Sequence, residues 1–373
     1  MNKWFIFFCF VSQIIFGQNF NISGKIIDKS NGEVLIGSNV YCTKSKQGST
    51  SNNYGFYSLN LPSGTRNIIC SYIGYQSDSL KINLVSDTII DFEIIPKKND
   101  LSEVILQVKK NTIKSVLSEI SIPMKDIQKL PALLGEKDVL KSIQLLPGVQ
   151  SGNEGTSGFY VRGGGGDQNL ILLDGVTVYN ASHLFGFVSI FNDNAIKKIK
   201  LYKGGFPARF GGRMSSVLDI NMRDGNLKNW QVEGGLGLIS GDITIQGPVV
   251  KDKTSIIISA RRTWIDILAK PLTNLIQRNS KNDNNGGLDG TYYFYDFNTK
   301  LNHKLSNNDR LIFSFYSGKD DFSNNYNNSS EYIYDETDDS NYSSTINTNS
   351  GFGLSWTNTT STLRWSHIIN NKI

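Results

Sequence analysis

Three glycine-rich stretches in the middle of the chain decide the fold. They read Phe-Tyr-Val-Arg-Gly-Gly-Gly-Gly (Phe159–Gly166), Asn-Leu-Ile-Leu-Leu-Asp-Gly-Val (Asn169–Val176) and Lys-Gly-Gly-Phe-Pro-Ala-Arg-Phe-Gly-Gly-Arg-Met-Ser-Ser-Val-Leu-Asp (Lys203–Asp219). Glycine permits positive φ and close backbone approach, which a compact domain needs if it must fit inside another structure. The second stretch indicates a buried strand closed by an Asp-Gly turn. A single glycine cluster indicates only a turn, so the order of the three stretches is the informative feature.

The composition indicates a β-rich protein. The chain has 373 residues, enough for two or three domains, and 39% of them are hydrophobic, which fits neither a helical membrane protein nor a disordered one. After the N-terminus no run approaches the ~18 apolar residues of a membrane-spanning helix, so any membrane role must use strands. The 35 glycines, 16 tyrosines and 20 phenylalanines fit strands with aromatic faces. The 38 basic and 33 acidic residues are spread along the chain and predict no nucleic-acid partner.

The N-terminus has the pattern of an export signal. Residues 1–18 contain Lys3, the apolar run Trp4–Phe16 and Gly17-Gln18, which predicts a cleaved signal peptide. Its removal leaves two cysteines, Cys42 and Cys70. Because exported proteins permit disulfides, the two are a disulfide candidate, although sequence alone does not show whether their Cα atoms lie within bridging distance.

Residues 19–97 alternate short apolar runs with turns, which predicts a small β-sandwich. The predicted strands are Ile22–Ile27, Ser38–Tyr41, Gly55–Leu61, Asn67–Ser71 and Thr88–Ile94. The stretches Gly24–Asp28, Gly32–Gly37, Tyr54–Tyr57 and Tyr72–Tyr75 resemble the carboxypeptidase regulatory-like domain found at the front of many Bacteroidetes outer-membrane receptors. The resemblance implies a transthyretin-like sandwich.

The name of that domain suggests an enzyme, but the sequence lacks the residues for one. Zinc hydrolysis needs clustered histidine and carboxylate ligands, whereas His183, His303 and His367 are far apart in the sequence. Each is expected to be a structural or strand-face residue. Gly163–Gly166 is not followed by the Lys-Ser or Lys-Thr of a phosphate-binding loop. We therefore expect no catalytic residues, no metal and no cofactor.

Residues 98–111 form a charged linker around an extended segment, Leu101–Leu106. Glu103, Val104, Ile105 and Leu106 resemble a TonB box, the peptide that adds as a β-strand to the energising periplasmic protein TonB. Backbone pairing supplies the affinity in such an interaction, so side-chain identity is loosely constrained. An ordinary linker or edge strand is the alternative.

Residues 112–225 resemble the plug domain of TonB-dependent outer-membrane transporters. Periodic apolar residues predict helices at Met124–Leu130 and Glu136–Leu146, the second ended by Pro147-Gly148. The matching motif residues are Arg162, Gly163, Gly164, Asp174, Gly175, Gly204, Gly205, Gly211 and Gly212. Beside a glycine-rich turn, Arg162 is expected to form a buried structural salt bridge; binding an anion or pairing with a carboxylate of the barrel are the alternatives.

Residues 226–373 predict six longer strands: Trp230–Leu238, Gly241–Gln246, Ser255–Trp264, Tyr292–Lys304, Arg310–Gly318 and Gly351–His367. Polar and apolar residues alternate along Asp296–Leu301, which is typical of a membrane barrel wall with polar residues inside. A soluble sandwich shows the same alternation with its faces reversed. The polar stretch Lys319–Ser350 predicts a long surface loop. Plugged barrels use ~22 strands, so six strands predict a C-terminally truncated barrel.

Together these features predict a mainly β fold: a transthyretin-like sandwich, an α+β plug, and the first strands of an antiparallel transmembrane β-barrel. The resemblance implies plug-gated uptake of a metal chelate, glycan or peptide across the cell outer membrane. The implied partners are the periplasmic part of TonB with its inner-membrane complex, outer-membrane lipid, a small nutrient ligand and a surface lipoprotein. Two alternatives stay open: an adhesin or signalling receptor that binds through the sandwich and surface loops, and a secreted soluble β-rich protein.

Overall fold

The computed structural model describes residues 18–97, 119–127, 137–152, 156–264, 266–267, 271, 288–334 and 342–369. The chain forms a β-sandwich, a central α+β domain and a six-stranded sheet in that order. Residues 1–17 of the predicted signal peptide and the TonB-box-like residues Glu103–Leu106 lie outside the described residues. In the part of the chain that the structure describes, no helix is both long and apolar enough to cross a membrane.

The sandwich consists of two four-stranded sheets. One contains β1 (Asn19–Asp28), β4 (Phe56–Pro62), β7 (Thr88–Ile89) and β8 (Phe92–Ile94), with β1 in the centre. The other has the order β3-β2-β5-β6, formed by β2 (Asn39–Cys42), β3 (Gly48–Thr50), β5 (Gly64–Ser71) and β6 (Asp78–Leu84). Alternate side chains of both sheets meet in one apolar core that includes Ile22, Val40, Leu61 and Ile68. The sequence did not predict β3 and β6, because these edge strands are largely exposed and lack a buried alternating face.

The two cysteines lie on adjacent strands of the second sheet but are free. Cys42 pairs in register with Ile68, and Cys70 pairs with Val40. The cysteines are therefore diagonal neighbours, and both thiols are buried in the sandwich core. The disulfide considered from the sequence is not formed in the structure, because cross-strand register separates the two residues by two positions. Burial and the charge of Asp78 raise the pKa of Cys70 to about 12, which keeps this thiol protonated.

Within its described residues, the central domain has a five-stranded mixed sheet and two short α-helices. Its strands are β9 (Glu119–Pro123), β12 (Asn169–Leu173), β13 (Val176–Thr177), β16 (Ile196–Tyr202) and β17 (Ser216–Met222). They lie in the order β13-β12-β17-β16-β9. Strands β12 and β17 are parallel, and β17 is buried at every position. Two small hairpin pairs complete the domain: β10 (Val149–Ser151) with β11 (Phe159–Val161), and β14 (Ser182–His183) with β15 (Val188–Ser189).

Helix α1 begins at Met124, as the sequence predicted, and is described as far as Ile127. Helix α2 covers Val139–Gln144 and is shorter than the predicted Glu136–Leu146. Asp138 caps α2 by accepting hydrogen bonds from the amides of Leu140 at 2.8 Å and Lys141 at 3.1 Å. Helix α2 therefore begins directly after Asp138, since an N-cap residue has extended backbone angles. Both helices contribute apolar side chains to the core of the domain.

The C-terminal sheet contains six antiparallel strands in sequence order, as the pattern predicted. They are β18 (Gln231–Leu236), β19 (Ser240–Val250), β20 (Thr254–Thr263), β21 (Leu288–Lys304), β22 (Asp309–Tyr334) and β23 (Tyr342–His367). Within the described residues β18 and β23 are the two edges, so the sheet does not close on itself.

The prediction of a long surface loop over Lys319–Ser350 is wrong. Strands β22 and β23 continue through most of it, and their pairing extends to Tyr334 opposite Tyr342. Composition misled the prediction because Asn and Asp are depleted in strands on average. A hairpin ladder is nevertheless held by backbone hydrogen bonds, which do not depend on an apolar face.

Candidate functional site

The Asp-Gly signal after β12 forms a tight hairpin turn that contacts the C-terminal sheet. Asp174 and Gly175 both have positive φ, 48° and 85°, as a two-residue type I′ turn requires. Arg364 on β23 donates a hydrogen bond from Nη2 to the carbonyl oxygen of Asp174 at 2.7 Å. A Cβ at position 175 would lie 2.9 Å from the same nitrogen. This turn therefore needs glycine for its conformation, and Arg364 would have to shift to admit a side chain at position 175.

The four-glycine run lies against another part of the central domain. A Cβ at Gly164 would lie 2.5 Å from the Cβ of Ser215, whose hydroxyl donates to the carbonyl oxygen of Val161 at 2.7 Å. Arg162 is exposed and has a left-handed φ of 50°. The buried salt bridge expected for Arg162 is therefore wrong, because the strained turn points this side chain outward, toward Gly204.

The remaining glycines of the motif do not join a common site. Gly204, Gly205 and Gly212 have positive φ and form turns on either side of Phe206 and Phe210. A Cβ at Gly211 or Gly212 would meet no atom within 4 Å. Of the motif residues, only Asp174 and Gly175 contact the C-terminal sheet through described hydrogen bonds or close approaches.

The C-terminal sheet has a polar buried face and an apolar exposed face. The buried side chains that face the central domain include Ser255, Ser259, Arg261, Asp296, Asn298, Lys300, Asn302, Ser314 and Asp320. Their neighbours along the strands point the other way and include Ile243, Ile245, Phe297, Phe313, Leu363 and Trp365, all exposed. A water-soluble sheet buries its apolar face and exposes the polar one. Here the arrangement is reversed.

A buried ionic cluster joins the two domains at one end of this polar face. His183, 1% exposed, lies between two carboxylates of the sheet. Its Nε2 is 2.7 Å from Asp296 Oδ1, and its Nδ1 is 2.6 Å from Asp320 Oδ2. Arg261 donates to Asp296 Oδ2 from Nε at 2.9 Å and from Nη2 at 2.6 Å. The same Nη2 donates to the carbonyl oxygen of Ser189 in the central domain at 2.6 Å. We call these residues the His183 cluster.

Neighbouring groups hold the cluster in place. Tyr316 donates to Asp296 Oδ1 at 2.9 Å, and the Tyr292 hydroxyl donates to Asp320. The imidazole of His183 stacks on Phe294 with 4.4 Å between ring centroids and 9° between planes. The backbone continues into Leu184 and Phe185, two non-glycine residues with φ of 52° and 53°. Two consecutive left-handed residues are a strained conformation that surrounding contacts must maintain.

Electrostatics favour a charged His183. Burial by itself lowers the pKa of His183, but the charge of Asp296 and hydrogen bonds to Asp296 and Asp320 outweigh burial. The pKa of His183 therefore lies above its usual value. In the protonated state the cluster contains two positive and two negative groups, counting Arg261.

A second buried cluster surrounds Lys300. Its Nζ lies 3.0 Å from Asp224 Oδ1 and 3.3 Å from both carboxylate oxygens of Asp174, and it donates to the carbonyl oxygen of Met222 at 3.0 Å. Lys197 lies 2.8 Å from the other oxygen of Asp224. Burial alone raises the pKa of Asp224, but Lys197 and Lys300 hold that pKa below its usual range. A charged ion-pair network therefore links β21 to the end of β17.

The sandwich contacts the segment that connects the central domain to the sheet. Glu33 Oε1 accepts hydrogen bonds from the amides of Asp224 at 2.8 Å and Gly225 at 3.1 Å. Lys198 on β16 donates from Nζ to the carbonyl oxygen of Ile36 at 2.9 Å. Burial, with the nearby charge of Lys200, lowers the pKa of Lys198 to about 8. All three units of the chain thus meet around residues 222–228.

Sequence reasoning missed most of these contact residues. The alternation along Asp296–Leu301 correctly placed Asp296 and Lys300 on the polar face. Extending the same alternation to β20 and β22 finds Arg261 and Asp320 on that face as well. No sequence pattern pairs them with His183, whose position depends on how the domains pack. Among the described residues, no group of three or more His, Cys, Asp or Glu is placed to hold a metal ion.

Comparison with protein families accounts for the two N-terminal units. Residues 22–106 match the CarboxypepD_reg-like domain, and residues 110–216 match the TonB-dependent Receptor Plug Domain. The central domain is a TonB-dependent receptor plug. TonB-dependent receptors are transporters rather than enzymes.

A curated relative and several solved structures are similar to the chain. TonB-dependent receptor P3 of Formosa agariphila is 24% identical over 183 residues, which is 46% of this chain and 18% of the relative. The siderophore receptor PirA of Pseudomonas aeruginosa has 16% identity and a TM-score of 0.38, with 66% of this chain and 42% of PirA covered. The copper transporter OprC has 11% identity and a TM-score of 0.36, with 57% of this chain and 34% of OprC covered. The chain thus spans less than half the length of these proteins.

Proposed function

We propose that this chain supplies the plug and six wall strands of a TonB-dependent active transporter in the outer membrane. The reversed polarity of the C-terminal sheet carries the proposal. Its polar face packs on the plug, and its other face exposes aliphatic and aromatic side chains such as Ile243, Phe313 and Leu363. Such a surface is favourable against lipid hydrocarbon and unfavourable against water. In this proposal the sandwich and plug lie on the periplasmic side, and the domain limits are those predicted from the sequence.

The ion clusters suggest how the plug stays in place. Removing the plug from the wall separates His183 from two aspartates and Lys300 from Asp174. Among the described contacts, Asp320 and Asp174 then lose their cationic partners. Breaking one buried pair costs ~3–5 kcal/mol, so the plug is stable until work is done on it. We propose that TonB does this work by pairing with the segment Glu103–Leu106 and pulling on it. The substrate class, whether a metal chelate, a glycan or a peptide, belongs to the same proposal.

The orientation of the sheet can be tested with one charged substitution. Phe313→Lys places a charge on the exposed apolar face, which costs ~2–4 kcal/mol at the bilayer midplane. We expect less of the chain in the detergent-extracted outer-membrane fraction. The control is Leu305→Lys, at the turn between β21 and β22, which we expect to leave the membrane fraction unchanged. Equal membrane fractions for both variants, or recovery of the native chain without detergent, would contradict the proposal.

Coupling to TonB needs a separate experiment. The full chain is captured with the immobilised periplasmic part of TonB, and Val104→Pro is expected to reduce capture at least tenfold because proline removes a backbone donor that strand addition needs. Val108→Pro makes the same change four residues further along the linker and serves as the control. Unchanged capture by Val104→Pro would favour the adhesin or signalling alternative.

One observation favours that alternative. Strands β22 and β23 have 26 residues each, whereas a transmembrane strand needs ~9–11. The remainder forms a long polar hairpin available for binding a surface partner. Loss of partner binding on shortening this hairpin, with TonB capture unaffected, would support a receptor role.

A further inference from the structure

His183 makes two contacts that a neutral imidazole cannot satisfy together. A neutral ring has one N–H donor and one lone pair. Both of its nitrogens face carboxylate oxygens, at 2.6 Å and 2.7 Å. With a single proton, one of these contacts would set a nitrogen lone pair against an oxygen lone pair. Only the imidazolium donates at both, and the short distances are those of charge-assisted hydrogen bonds.

The charges around His183 make that second proton important. Arg261 faces the cluster from β20, Asp296 and Tyr292 face it from β21, and Asp320 and Tyr316 face it from β22. With His183 protonated, two positive groups balance two carboxylates. When His183 loses its proton, one buried negative charge has no balancing cation in the cluster. An uncompensated buried charge is strongly destabilising.

We propose that His183 is a proton-dependent latch that holds the plug hairpin β14–β15 against the wall. Seating the hairpin takes up one proton at His183, and unseating releases that proton to water. The strained turn at Leu184 and Phe185 begins directly after the latch, so the contacts of the cluster also maintain this strain. The latch goes beyond the proposed function, because it acts in the plug–wall contact whether or not TonB is present.

The direction of the pH dependence follows from linkage. In the unseated hairpin His183 titrates near its unperturbed pKa of ~6.5, and in the seated state its pKa is raised. Below pH ~6.5 His183 is protonated in both the seated and the unseated hairpin, and the latch contributes fully to holding the hairpin. Above ~6.5 opening releases a proton, so the opening constant of the hairpin rises by up to tenfold per pH unit until the seated-state pKa is reached. The latch therefore weakens as the pH rises.

Hydrogen exchange of residues 182–189 tests this. The full chain in detergent is exchanged between pH 6 and 9, and each rate is corrected for intrinsic amide chemistry. The native chain should show an opening constant that increases with pH, while the plug core strand Ser216–Met222 shows no such increase. His183→Gln should open the hairpin more at every pH and remove the slope. His303→Gln, in a wall histidine bonded to Thr254, should keep the native slope.

The variant Asp320→Asn distinguishes a proton-dependent latch from a histidine with only a structural role. In Asp320→Asn the amide can donate to Nδ1 of a neutral His183, while Nε2 still donates to Asp296. The hairpin should then stay protected without pH dependence above ~6.5. A flat native profile, or the native slope surviving in His183→Gln, would overturn the proposal. Either result leaves the TonB capture experiment unaffected, so the two failures are distinguishable.

Discussion

Replacing Lys300 with methionine tests how the wall holds the plug. Lys300 is 5% exposed, and its ammonium contacts Asp174, Asp224 and the carbonyl oxygen of Met222. In Lys300→Met, Asp224 keeps its ion pair with Lys197. Asp174 keeps hydrogen bonds from the Ser314 hydroxyl and the Met222 amide, but among the described contacts its carboxylate keeps no cation.

The loss should therefore lie at the lower end of the range for breaking a buried pair, ~3 kcal/mol. At ~1.4 kcal/mol for each factor of ten, the opening constant of β17 should rise about a hundredfold. Hydrogen exchange of Ser216–Met222 measures this constant directly. Adding Asp174→Asn to Lys300→Met removes the unpaired charge and should recover part of the protection.

The matched control is Lys319→Met. Lys319 also pairs with an aspartate, Asp321 at 2.7 Å, but on the exposed side of the same sheet, where water and salt screen the interaction. We expect no measurable change in the exchange of β17. If Lys300→Met and Lys319→Met give the same exchange rates, the buried cluster does not hold the plug and our reasoning is refuted.

Three further predictions concern the sandwich contact and other parts of the plug. Glu33→Ala leaves two buried amides of the connecting segment without an acceptor, which destabilises the segment by ~1–3 kcal/mol for each amide. Hydrogen exchange of these amides should increase at least tenfold. Glu33→Gln should retain part of the protection. Gly164→Ala should lower plug stability by ~1–3 kcal/mol through overpacking, measured by pulse proteolysis, whereas Gly211→Ala, in open space, should not. Lys198, with its pKa lowered to about 8, should titrate near that pH by NMR of its methylated amine. Because the unfolded chain keeps this proton up to ~10.4, the contribution of Lys198 to stability should increase between those two pH values, and constant stability would contradict the assignment.

Much of the fold follows from local patterns. Six longer strand-like runs predicted the six strands of the C-terminal sheet. The alternation along Asp296–Leu301 showed which of its residues share a face, because strand side chains have a period of two. The Asp174-Gly175 turn was recognisable because few other pairs of residues tolerate two positive φ values. The full length of the β22–β23 hairpin, whose strands have 26 residues each, was not predicted, since ladder hydrogen bonds leave no mark in side-chain composition.

The sequence by itself determined the order of the units and the identity of the plug, because both depend on short motifs and on local periodicity. Only the tertiary structure decided which charges meet. His183 lies 113 residues from Asp296 and 137 from Asp320, and neither the histidine nor the aspartates have a local signature of pairing. Burial then determines their role, because a charge removed from water must find its partner wherever the fold places one.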